Sequence, residues 1–107
     1  MELAMRVDPA WERAFFRYSH EAGRRGSNAS YEVQGTGNLI DAFVNRAAFH
    51  SLNETAERLF QSTGKQAGVI LLIVDNNYDY DVKFEYSDMG RWMINKLDGA
   101  SGIPAGL

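Results

Sequence analysis

The feature that most constrains the fold is the stretch from residue 68 to residue 86, which predicts two consecutive strands joined by a tight turn. Gly68 to Val74 is apolar on both faces and rich in β-branched side chains, as in a strand at the centre of a sheet. Asp75, Asn76 and Asn77 follow, and these residue types tolerate the backbone angles of a hairpin turn. We therefore expect an antiparallel sheet built around this hairpin.

The second strand of the hairpin, Tyr78 to Tyr86, alternates between apolar or aromatic residues and charged residues without a break. Such alternation predicts that one face packs against a core and that the other lies in water. Tyr80, Val82 and Phe84 are accordingly expected to be buried against a helix. The opposite face carries charged side chains, which are Asp79, Asp81, Lys83 and Glu85.

The first part of the chain predicts a second hairpin. Residues 11–20, just after Pro9, are aromatic and partly alternating, which favours a strand, with a helix as the alternative. Residues 22–28 contain Gly, Ser and Asn and predict a loop. Ser30 to Gln34 alternates again and predicts the strand that completes the hairpin.

The middle of the chain predicts one or two helices. Apolar residues within 39–49 recur at spacings of three and four, which is typical of a helix or of helical turns. Ser51 and Glu54 then match a capping box, so a helix is expected over about 52–63, ending before Gly64. Its apolar stripe consists of Leu52, Ala56, Leu59 and Phe60.

Together these elements predict an α+β fold, in which an antiparallel sheet of about four strands has one or two mid-chain helices packed on one face. The length of 107 residues suits a single domain over 1–107. Residues 99–107 contain three glycines and one proline and are expected to form a flexible tail.

Composition excludes several classes of function. The chain has no cysteine, which rules out disulfides, thiolate metal sites and cysteine nucleophiles. Its net charge of −3 provides no basic footprint for direct nucleic-acid binding. The longest apolar run, Val69 to Val74, is too short for a membrane span, and no secretory signal is visible near the start. We therefore expect a cytoplasmic protein without a membrane partner.

Few residues carry the spacing that catalysis or cofactor binding needs. His20 and His50 are isolated from one another and from metal-ligand motifs, and no glycine-rich segment has the spacing of a phosphate loop. The sequence thus predicts no catalytic residues, no metal and no cofactor. The alternative is a small enzyme or ligand-binding domain that uses a pocket near His20 or His50.

A cluster of acidic residues allows three interpretations: Asp75, Asp79, Asp81, Glu85 and Asp88. A calcium site lacks support because the loop glycine and terminal Glu of an EF-hand are missing. The cluster is otherwise either a solvated strand face or a docking surface that would speed encounter with a basic partner. Trp92 is a candidate aromatic anchor beside it, because tryptophan is enriched in interfaces.

The order of motifs over residues 9–96 resembles a known family. The motifs are Pro9 to Tyr18, Ala29 to Val33, a mid-chain helix, and Val82 to Asp88 followed by Arg91 and Trp92. They are similar to those of the YezG-like bacterial immunity proteins, the antitoxins of polymorphic toxin and contact-dependent inhibition systems. The resemblance implies a non-enzymatic protein that neutralises a cognate toxin by tight direct binding, without naming the toxin. The acidic cluster leads us to expect a basic, nuclease-type toxin domain. It also implies a helix before Pro9, where only Met1 to Asp8 stand.

Overall fold

The structure is a computed structural model that describes residues 8–107, apart from the side chain of Asp98. A five-stranded antiparallel sheet has the strand order β3-β2-β1-β4-β5. The strands are β1 (Arg13–Glu21), β2 (Arg24–Val33), β3 (Thr36–Leu39), β4 (Gly68–Asp75) and β5 (Tyr80–Glu85). One helix, α1 (Arg46–Ser62), lies between β3 and β4 in the chain, and a 3₁₀ helix (Leu97–Gly99) follows β5. The predicted α+β fold is thereby confirmed. The helix implied before Pro9 falls on residues 1–7, outside the described part of the chain.

The first hairpin is tighter than the loop predicted over 22–28. Only Ala22 and Gly23 form the turn, and both have positive φ, 50° and 77°. A two-residue turn of this kind matches the twist of the flanking strands. Residues 24–28 belong to β2, where they pair with the end of β1 from Glu21 back to Arg17. Strand pairing therefore overrides the loop preference of Gly26, Ser27 and Asn28.

A second two-residue turn, Gln34-Gly35, leads into β3, a strand that the sequence does not predict. The C-terminal tail lies against β3, and Gly37 donates its N–H to the carbonyl of Ser101 at 3.1 Å. A Cβ atom on Gly37 would come within 2.5 Å of the Gly102 carbonyl carbon, so only glycine permits this approach. The flexibility expected for 99–107 stays a prediction.

Helix α1 begins at Arg46, earlier than the predicted start near residue 52. The capping box is wrong, because Ser51 lies inside the helix and its carbonyl accepts a hydrogen bond from the Thr55 hydroxyl. The chain turns into the helix through Asp41, whose carboxylate accepts the N–H of Phe43 at 2.8 Å. Among the described residues no helix is long and apolar enough to cross a membrane.

Both faces of the sheet are covered. On one face Phe16, Tyr18 and Ile70 pack against α1 through Phe49, Ala56 and Phe60. On the other face Phe15, Val69 and Leu71 pack against Trp92 and Ile94 from the segment after β5. The sequence predicts the first of these layers only.

The predicted burial of β5 is wrong for Tyr80, which is 74% exposed, and for Phe84, which is 38% exposed. The register places them opposite Val74 and Ile70, so both belong to the helix side of the sheet. However, β5 is the edge strand, and only Val82 packs against the cluster beneath α1. Leu59 on the helix is also partly exposed rather than a core residue.

Candidate functional site

The predicted acidic residues do not form one uniform surface. Asp79 and Asp81 are exposed at the start of the edge strand β5. Asp81 pairs with the neighbouring Lys83, at 3.3 Å between Oδ2 and Nζ. Asp75 is half-buried and accepts the N–H groups of Asn77 and Asp79, so it serves to shape the turn. Asp79 and Asp81 are therefore the carboxylates of the turn and strand that are most open to a partner.

Glu85 and Asp88 are engaged in the turn that follows β5. The carboxylate of Glu85 accepts the N–H groups of Ser87 and Asp88 and pairs with Arg91 at 2.7 Å. Asp88 itself accepts the N–H of Gly90. The two backbone hydrogen bonds, followed by the ion pair, hold the pKa of Glu85 below its ordinary value. The role of Glu85 is thus local, since it fastens the turn.

This geometry predicts an acid-dependent loss of stability. Because the folded pKa of Glu85 lies below its ordinary value of 4.5, its stabilisation is complete above that pH and is lost as the pH falls through the folded pKa. Thermal unfolding followed between about pH 6 and pH 3 should show a shallower fall in Tm for Glu85→Gln than for the parent. Glu32→Gln is measured beside it. Because the hydrogen bond from Arg13 also lowers the pKa of Glu32, this variant should show a shallower fall in Tm as well. An unchanged pH profile in Glu85→Gln would contradict the assignment.

Trp92 is buried, with 5% of its surface exposed, and it packs in the core cluster on the outer face of the sheet, which is the face opposite α1. Its backbone has a positive φ of 59°, and the Arg91 guanidinium lies 4.9 Å from its ring centroid. A side chain this deeply buried offers almost no surface to a partner. Trp92 therefore belongs to the core and is not part of the surface proposed below.

The exposed aromatic residues of β5 and its end are the feature that sequence reasoning missed. Tyr80, Phe84 and Tyr86 all present substantial surface, and the rings of Phe84 and Tyr86 stack at 6.2 Å. Within the described residues β5 is bonded only to β4, so its outer backbone edge is unpaired. We call this edge of the sheet the β5 surface: Tyr80 and Phe84 lie on its helix side, Asp81 on the opposite side, and Asp79 and Tyr86 at the two ends of the strand. The alternation of residues 78–86 predicted that these aromatic residues are buried. It indicates an exposed aromatic surface only when the strand is known to lie at the edge of the sheet.

A cleft of about 600 Å³ lies between α1 and the first hairpin. Its walls are lined by Tyr18, Arg25, Gly26, Ser27, His50, Asn53, Glu54, Glu57 and Arg58. The helical members recur at spacings of three and four, beside the apolar stripe that packs on the sheet. That polar periodicity was available in the sequence as a signal for this cleft.

The two histidines are related to this cleft in different ways. His50 lines it and pairs with Glu54 at 3.2 Å. His20 stacks on Phe60, with 4.7 Å between centroids, and its Nδ1 lies 3.2 Å from a carboxylate oxygen of Glu57. In residues 8–107 no group of three or more His, Cys, Asp or Glu side chains is arranged to hold a metal ion.

Comparison with known proteins found no matching family model, no similar curated protein and no similar solved structure. The fold is that of a small α+β domain with an exposed aromatic and acidic edge strand and a polar cleft between α1 and the first hairpin. Inference about function therefore rests on these two surfaces and on the motifs of the chain.

Proposed function

We propose that the protein is an immunity protein that neutralises a cognate bacterial toxin by direct binding through the β5 surface. The observation that carries the proposal is that Tyr80, Phe84 and Tyr86 are exposed beside Asp79 and Asp81 along a strand whose outer backbone edge is unpaired within the described residues. Exposed aromatic residues dominate the energetics of protein interfaces, whereas natural sheets normally protect their edges from other chains.

The charge of the β5 surface favours a basic partner. The β5 surface itself holds Asp79 and Asp81, and Asp75, Glu85 and Asp88 in the adjoining turns extend the negative field at its two ends. Residues 75–88 thus carry five carboxylates and a single lysine, while the rest of the chain is close to neutral. A toxin that cleaves nucleic acid has to bind phosphates, and for that it needs a positively charged groove. Opposite fields would accelerate encounter between the two proteins, and the aromatic side chains would then slow dissociation.

The proposal predicts that reversing two charges on the β5 surface weakens toxin binding. Asp79→Lys with Asp81→Lys should slow association with the cognate toxin, and the effect should be largest at low salt. Protection of cells that produce the toxin should fall in parallel. The rates are measured by surface plasmon resonance at low and moderate salt. Glu85 is left intact because its carboxylate fastens the following turn.

A matched control reverses the same number of charges elsewhere. Glu21→Lys with Glu54→Lys changes the net charge equally at exposed positions on β1 and α1. This control should retain most of the association rate.

Tyr80→Ala separates contact from steering, since it should accelerate dissociation by a factor corresponding to about 2 kcal/mol while leaving association almost unchanged. If the two charge-reversed pairs bind alike and Tyr80→Ala has no effect, the toxin does not bind this surface.

A further inference from the structure

The outer edge of β5 presents its backbone groups in a definite pattern. The N–H of Asp75 donates to the carbonyl of Asp79 at 2.9 Å, so these two residues form a hydrogen-bonded pair at the end of the β4–β5 ladder. Hydrogen-bonded and non-hydrogen-bonded pairs alternate along an antiparallel ladder. The N–H and C=O groups of Tyr80, Val82 and Phe84 therefore point away from β4, and no backbone hydrogen bond joins them to another described segment.

The opposite edge of the sheet is less open. Gly37 on β3 donates its N–H to the carbonyl of Ser101, so the C-terminal tail occupies part of that edge. An edge strand with free N–H and C=O groups is a template for pairing with another chain. Of the two edges in the described part of the chain, the β5 edge is thus the more open to an added strand.

The side chains of β5 are self-complementary in one antiparallel register. When two copies of β5 pair about a two-fold axis at Val82, Tyr80 of each copy lies opposite Phe84 of the other, on the side of the sheet that carries α1. Asp81 of each copy then lies opposite Lys83 of the other, on the far side of the sheet. Aromatic pairs and opposite charges both stabilise such directly opposed positions.

The backbone favours the same register. The residues whose N–H and C=O groups point outward face one another, so each facing pair can exchange hydrogen bonds in both directions. Asp81 and Lys83 form the non-hydrogen-bonded pairs, in which opposed side chains lie closest together. Within one copy these two side chains lie 3.3 Å apart and are 63% and 42% exposed. The four charged groups of the two copies therefore alternate in sign.

The neighbouring registers are unfavourable because they oppose like charges. A two-fold axis at Lys83 would place this lysine opposite itself and Asp81 opposite Glu85. An axis at Asp81 would place that carboxylate opposite itself. Like charges in directly opposed positions destabilise a ladder. In the first register Asp79 lies opposite Glu85 at each end, but Glu85 is already paired with Arg91 at 2.7 Å. The charge pattern therefore selects the first register.

We infer that two copies of this chain associate in solution through antiparallel pairing of their β5 strands about an axis at Val82, which joins the two sheets into one. Two-fold pairing closes the open edge of both copies. A single strand pair is a small interface, so the dimer is weak and dissociates on dilution to low micromolar concentration. The toxin and the second copy compete for the same edge. That competition rests on the proposed function, whereas self-association does not.

The first test is the mass of the full chain without toxin, measured by sedimentation equilibrium from low micromolar to sub-millimolar concentration. We expect a reversible change from monomer to dimer. Hydrogen exchange followed by NMR over the same range locates the interface. The amides of Tyr80, Val82 and Phe84 should gain protection as the concentration rises. Those of Asp81 and Lys83, which already bond to β4, should gain much less.

Charge reversal tests the register. Asp81→Lys and Lys83→Asp each place like charges opposite one another on both sides of the axis, so either variant alone should dimerise about tenfold more weakly. Combining both changes in one chain exchanges the charges and should restore the parent affinity. A mixture of the two single variants should form a heterodimer, which tests the register even if the combined variant does not fold. Glu54→Lys, at an exposed position of α1, is the control and should dimerise like the parent.

Three results would overturn the inference. The first is a monomer at every concentration. The second is a dimer in which the amides of Tyr80, Val82 and Phe84 stay unprotected, since the two copies would then meet through another face. The third is the absence of a heterodimer in the mixture of single variants, which would exclude the assigned register. Toxin binding is measured separately, at concentrations where the chain is monomeric, so failure of the dimer and failure of the toxin proposal are distinguishable.

Discussion

Replacement of Phe60 by alanine is expected to lower the free energy of unfolding by about 3–5 kcal/mol, enough to unfold much of a small domain. Phe60 is 1% exposed and lies in the cluster between α1 and the sheet. Its ring stacks on His20, and a Cβ built on Gly68 would be only 3.0 Å from its Cε1 atom. The surrounding side chains cannot close such a cavity fully, and urea denaturation measures the loss.

Phe84→Ala is the matched control, since it deletes the same atoms from a partly exposed position on the edge strand. Only part of its apolar surface is removed from water, so we expect a loss of about 1 kcal/mol. Similar losses of unfolding free energy in the two variants would contradict this, because they would mean that Phe84 is packed as deeply as Phe60. The sequence alone would assign the large effect to Phe84, and the edge position of β5 reverses that order.

The parts of the fold that are predictable from sequence are those with a strong period or composition. The apolar β4 and the alternating β5 are examples, because a strand's side chains reveal its environment locally. Strand β3 was not predictable from the sequence, since Thr36–Leu39 has only four residues and follows a turn. Its pairing with β2 between Ser30 and Val33 is a local hairpin, but it also contacts the tail, where the Gly37 N–H donates to the Ser101 carbonyl, and that contact is non-local.

The candidate site was predictable only in outline, for the same reason. Sequence identifies Asp79 and Asp81 as charged residues of a strand, and the structure places both on an exposed edge. The sequence does not reveal that the segment after β5 folds back over the face of the sheet opposite α1 and buries Trp92. That fold-back depends on contacts with β1 and β2, which lie far away in the chain.

The attachment of this segment by Arg17 leads to the second large effect. The Arg17 side chain is buried, and its guanidinium donates to the carbonyls of Arg91 and Met89 at 2.9 and 2.6 Å. Burial lowers the pKa of Arg17, although Asp88 opposes that shift. Arg17→Met keeps most of the apolar stem but leaves both carbonyls without donors, so we expect a loss of about 3 kcal/mol in unfolding free energy. Urea denaturation measures that loss.

Arg24→Met removes a guanidinium from an exposed position of β2 and provides the control, with an expected change within about 0.5 kcal/mol. Hydrogen exchange locates the effect of Arg17→Met. The N–H of Gly102, which bonds to Asn95, and that of Ala105, which bonds to Met93, should exchange faster once the segment loosens. The exchange rates of the β4 amides should rise by a smaller factor than those of Gly102 and Ala105. If Arg17→Met is as stable as Arg24→Met, the buried guanidinium does not hold the segment to the sheet, and packing of Trp92 and Ile94 is sufficient to do so.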